Sequence, residues 1–362
     1  MNASRLREII DLLLNLENQF QIQIRLNELS QHLDNMVQQP QQPQFQAQFS
    51  QTFTALQTAS ELVRQTFEPA QIAFLDEIGA SQFFVIDLSA QISDWMQKNP
   101  LTPVVIQTNL NEIKARRQNY IENITKLRDS LEAIGVKASV LKPGDAEIGI
   151  LLPRSLFNND FELLIKELNQ FKFILRAFSE FATGTVELIE VRQISTSDPL
   201  FFLGMTPLVI AMVADAVTWA LNTWKQIEEI RKVRADTSKL TMFSEEEVKS
   251  IFETKIKDFI EEAVSEKLDA LLTDGETGRP KEQRINLRHS LDSLLARIER
   301  GVTIQVRFLP PPQITQEDGT QSEIPKEFEV LQEITPQLVF PKFEGTPILP
   351  LPDQDQIKST KG

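Results

Sequence analysis

The apolar residues Leu6, Ile9, Ile10, Leu13, Leu16, Phe20 and Ile24 fall three and four positions apart, the repeat of a helix that buries one stripe. The spacing predicts a long N-terminal helix over residues 1–37, with Leu6, Ile10, Leu13 and Phe20 as a coiled-coil seam offered to a partner. Residues 38–52 lose the pattern. Between Gln38 and Gln51 eight residues of 14 are glutamine, and Pro40 and Pro43 interrupt any continuous helix, so the stretch reads as a flexible linker. Helical spacing resumes over 53–135 as a helical bundle. Its last member starts at Thr102-Pro103, a cap followed by a proline suited to a first helical turn, and ends at Gly135.

From residue 136 to 309 the period mixes. Val136–Leu141 and Ile148–Leu152 are short strand-like runs around Lys142-Pro143-Gly144-Asp145, a turn sequence, and together they predict a β-hairpin. Asn159 with Glu162 signals a helix start, and the apolar repeat from Phe161 to Phe178 continues it to Gly184. A third strand is expected over Thr185–Ile194. Either Asp198-Pro199 or Thr206-Pro207 caps the next helix, which is extended to about Arg234. Ser244 with Glu247 makes a capping box for a further helix to Leu272, and a last helix covers Lys281–Arg300. Val302, Ile304, Val306 and Phe308 then alternate with polar residues as a fourth strand.

The expected class is mainly α, of the α+β type: an N-terminal helical bundle with long helices, plus a small mixed sheet of about four strands packed with helices. Residues 310–362 hold nine of the 19 prolines and many acids, and are expected to be an extended tail without a core of its own.

Composition narrows the chemistry. With 41% hydrophobic residues a real core is affordable, and with 51 acidic against 37 basic side chains the formal charge is −14, which repels a phosphate backbone. No nucleic-acid partner is expected. The chain has no cysteine, which removes disulfides, thiolate metal sites and thiol nucleophiles, and fits a cytoplasmic location. Its two histidines, His32 and His289, are read as surface residues, too few for a histidine-based metal site or triad. Neither phosphate-cradling glycine motif is present, and neither is a nucleophile elbow. Asp145 and Glu147 are the nearest approach to a paired-carboxylate metal site, against the plainer reading of Asp145 as a turn residue. No catalytic residue, cofactor or metal is expected.

One segment stands apart. Phe201–Leu221 carries a single charge, Asp215, and is long enough to cross a membrane. Its nine Leu, Ile, Phe and Val residues favour insertion by about 3–5 kcal/mol, while Asp215 opposes it by about 2.5–3.5 kcal/mol. The balance is near zero, so the expectation is a core helix, with Asp215 as the residue that decides between core and membrane. The function expected is a non-enzymatic interaction or scaffold protein that associates with itself or a protein partner through its long helices. The alternative is a membrane-acting effector that inserts the 201–221 helix.

Overall fold

The computed structural model describes residues 3–99, 102–138, 140–195, 199–237, 245–273, 280–313, 322–340 and 347–352. It forms two compact units, Met1–Val140 and Leu141–Gly362, each with its own hydrophobic core.

The first unit is a helical bundle of α1 (Ala3–Phe20), α2 (Ile22–Gln38), α3 (Pro43–Gln65), α4 (Pro69–Glu77), α5 (Ser81–Phe84), α6 (Leu88–Lys98) and α7 (Pro103–Ala133). The single long N-terminal helix expected over 1–37 is broken at Gln21, which adopts a left-handed φ of 52°. The break lets both halves lie on α7. It is held by Glu17, whose carboxylate accepts the Gln23 backbone N–H at 2.8 Å and the Arg117 guanidinium at 2.5 Å. Arg117 is fully buried, donates also to Gln23 Oε1 at 3.2 Å, and lies over the Phe84 ring. The expected linker over 38–52 is also corrected. It is a tight turn followed by α3, because Pro43 sits in the first helical turn, where its missing N–H costs nothing, and glutamine is a good helix former. Phe49, within that stretch, is buried on the bundle core.

The second unit contains β1 (Ala146–Leu151), α8 (Arg154–Phe157), α9 (Phe161–Thr183), β2 (Glu190–Ser195), β3 (Leu200–Met205), α10 (Pro207–Thr237), α11 (Glu245–Thr273), α12 (Pro280–Ile298), β4 (Thr303–Phe308) and α13 (Lys326–Ile334). The strands form one sheet in the order β2-β3-β1-β4, with every pair antiparallel rather than mixed. The turn at Lys142–Asp145 forms, closed by Asp145 N–H to Lys142 carbonyl at 2.9 Å, but the expected hairpin does not. Both edges of β1 are taken by β3 and β4, which leaves no edge for Val136–Leu141. The N-cap of α9 is Asp160, one residue past the expected Asn159, and its carboxylate accepts from Glu162 N and Leu163 N.

The segment Phe201–Leu221 is not one helix. Its first part is β3, and the helix begins at Pro207, which disfavours helical geometry at the residue before it. Thr206 is fixed there by Glu187, which accepts from its hydroxyl at 2.9 Å. The alternative start at Asp198 and the Ser244 capping box lie outside the described residues. Helix α10 is the centre of the unit, in contact with α9, α11, α12, α13, β1 and β4. Over 209–221 it is mostly buried, and that half keeps no continuous polar face. Buried Ala211, Ala214, Ala216 and Ala220 let its neighbours approach closely. The proline-rich tail is more than an extended strand of polar chain, since α13 buries Phe328 and Leu331 and packs on α10. Farther on, Glu299 accepts the N–H groups of Ile348 and Leu349 at 2.8 and 2.9 Å, fastening that part of the tail to the core.

Candidate functional site

The antiparallel register assigns a face to each strand residue, because cross-strand partners point the same way. Ile148, Leu203 and Val191 share one face, as do Ile150, Phe201 and Ile194. Helix α10 packs on that face over β1 and β4. The half made by β2 and β3 is left partly uncovered, so Val191 and Ile194 are 58% and 53% exposed although they lie in an apolar row.

Helix α9 runs beside this uncovered half and turns Leu168, Phe171 and Leu175 toward it. Between α9, the sheet and the extended stretch Val186–Ile189 lies an apolar cleft of about 550 Å³. That volume is within the range of small-ligand sites. Leu188, on its outer lip, is 85% exposed. The cations Lys172 and Arg176, one helical turn apart on α9, stand at the rim, exposed and without an acidic partner among the described residues. Across that pair lies a more polar recess of about 340 Å³, bordered by Asn169, Phe173, Glu180 and Asn286. The rim carboxylate Glu187 is occupied by Thr206.

The opposite sheet face carries the carboxylates singled out in the sequence. Arg307 donates to Glu147 at 2.6 Å, and Arg192 lies 3.4 Å from Asp145 and 3.9 Å from Glu147. A bulge between Val191 and Gln193 places Arg192 on this face, and Gly204 admits its guanidinium, which a Cβ there would strike. The two carboxylates are brought together, but each is already matched to arginine. Among the described residues no group of three or more His, Asp or Glu side chains is arranged to hold a metal.

The proposed seam residues are brought together inside the molecule. Ile10 and Leu13 are 0% exposed in the bundle core, and Leu6 and Phe20 are partly buried against the same core, so the stripe is spent within the unit. Asp215 reaches the rim of α10, 43% exposed, and accepts a hydrogen bond from Lys267 of α11 at 2.5 Å. By length and composition Pro207–Val233 could cross a membrane, yet 67% of its most apolar window is buried within the protein. The histidines are half-buried rather than superficial. His289 stacks edge-on against Phe173, its buried Nε2 has no hydrogen-bond partner among the described residues, and burial, then the charge of Arg297, pull its pKa below the ordinary imidazole value.

The cleft residues were missed in the sequence because its walls come from segments that only the sheet register brings together. The available signal was the broken alternation over 186–194, where Val186 and Leu188 fall out of step with Ile189 and Val191. Comparison with known protein families, with curated proteins and with solved structures finds no match to this chain.

Proposed function

We propose that the chain is a non-catalytic binding protein and that the cleft between α9 and the β2–β3 half of the sheet is its binding surface. The observation that carries this reading is an apolar cleft of about 550 Å³ whose lining stays open to water. Exposed apolar surface of that kind is unfavourable unless something covers it. The polar groups at the rim are two cations and one engaged carboxylate, a set that orients a ligand and supplies no nucleophile with a paired base.

The reading keeps the interaction role expected from the sequence and moves it from the N-terminal seam to the second unit. The membrane-effector alternative draws support from the length of α10. Against it stand the separation of β3 from that helix and the pairing of Asp215 with Lys267. Titration of the full chain with Nile red, a neutral apolar dye, tests the cleft. A one-to-one rise in blue-shifted emission is expected, abolished by Ile194→Trp, which fills the cleft from an exposed position. Absence of binding, or equal binding by a variant that melts like wild type, overturns the reading.

A further inference from the structure

We infer that the occupant of the cleft is a single-chain anionic amphiphile, a long-chain carboxylate whose hydrocarbon lies in the cleft and whose head meets Lys172 and Arg176. The inference rests on the binding reading above. At about 30 Å³ per water-sized group, 550 Å³ holds roughly 18 such groups, the size of one long acyl chain.

The head follows from charge. In a chain of net charge −14, Lys172 and Arg176, exposed one helical turn apart, have no acidic partner among the described residues. They stand where the apolar cleft meets the polar recess, so both side chains border both spaces. A carboxylate placed there has two donors on one side and room for water on the other. Of the neighbouring acids, Glu187 is held by Thr206, and Glu180 lies on the recess side, away from the apolar cleft.

An extended peptide added to the sheet edge fits less well. Strand β2 is the edge, and it carries both a bulge and the charged pair Glu190 and Arg192, features that oppose edge pairing. A neutral hydrocarbon would use the cleft and leave the cations unexplained.

The test is displacement of Nile red from the full chain by saturated carboxylates of eight to eighteen carbons, each below its micelle concentration. Affinity is expected to rise about fourfold per methylene, as burial of a methylene predicts, and to level off when the cleft is full, near the longest chains. Laurate should bind about tenfold or more tightly than dodecanol, the least a charge-assisted contact contributes. The double variant Lys172→Gln/Arg176→Gln should lose that advantage, keep dodecanol binding and melt like wild type. Ile194→Trp should lose both ligands. If Nile red binds and no carboxylate displaces it, the amphiphile inference fails while the cleft reading stands. If Nile red does not bind, the cleft reading itself fails. Equal binding of laurate and dodecanol, or laurate binding that survives Ile194→Trp, also overturns the inference. So does flotation with phosphatidylglycerol vesicles without binding of monomeric laurate, which would assign the surface to a bilayer.

Discussion

Replacing Arg297 by methionine tests whether α9, one wall of the cleft, is positioned by a buried charge pair. Arg297 on α12 reaches Glu167 on α9 through two hydrogen bonds, Nε to Oε2 at 2.7 Å and Nη2 to Oε1 at 3.2 Å. Both side chains are almost wholly buried. Taking the guanidinium away leaves a buried carboxylate without its hydrogen-bonded partner, with Arg300 as a more distant counter-charge, at a cost of about 3–5 kcal/mol. At about 2–4 °C per kcal/mol for a unit of this size, the melting temperature falls by roughly 6–20 °C.

The double variant Glu167→Leu/Arg297→Met removes both charges, and with them the desolvation that opposes the pair. It is expected to lie within about 1 kcal/mol of wild type or above it, since well-packed apolar replacements of buried pairs are often neutral or stabilising. The double must therefore be more stable than Arg297→Met alone. Urea denaturation followed by tryptophan fluorescence reads this directly, because Trp219 and Trp224 are on α10 in the same unit. If the double variant is as unstable as the two single changes added together, the pair is not coupled and the argument is refuted. An Arg297→Met protein with the wild-type midpoint refutes it as well.

Leu13→Ala should cost about 2–5 kcal/mol, as for a buried leucine, and leave the mass in light scattering unchanged; wild-type stability with an altered mass would return the seam to a partner. Asp215→Leu removes a half-exposed ion pair worth about 1 kcal/mol at most, so its melting temperature should stay within a few degrees of wild type. Neither protein should float with anionic liposomes, and flotation of the variant would make α10 a membrane element. The pKa of His289 is lowered in the folded state, so the unfolded chain binds the proton more readily. Stability is then full above about pH 6.5 and falls as pH drops from there toward the lowered value. His289→Phe should flatten that slope in urea midpoints taken at about pH 7.5 and 5.5, and an unchanged slope would assign it to another group.

The elements with one buried face were legible in the sequence. Helix α9 shows its apolar repeat and its end at Gly184, where φ is 72°, and β4 alternates as a half-buried strand should. The errors fall where that one-sidedness is lost. Strand β3 is bonded on both sides within the sheet and the first half of α10 is packed among helices and strands, so both are apolar without a clear period and run together as one segment. Pro207 marked the join. The break at Gln21 was hidden for a different reason, since the local repeat continues through it and what holds the turn is Arg117, far away on α7.

The two walls of the cleft differ in how firmly they are held, and this decides which can respond to a ligand. Helix α9 is tied to α12 by the Glu167–Arg297 pair, packs on α10, and receives the tail through a contact from Gln170 to the Pro352 carbonyl. It cannot shift without breaking buried interactions. The opposing wall is the stretch 186–189, outside any strand and tied at Glu187 to Ser179 and Thr206, and β2, which among the described strands pairs only with β3 and is interrupted by its bulge. Segments with few buried contacts open at low cost. The cations are therefore carried by the firmly held helix, and the exposed aliphatic residues Val191 and Ile194 by the edge strand, which is held less firmly. That division suits the proposed ligands, which would share a head and differ in tail, and it arises because α9 is at once a core element and one wall of the cleft.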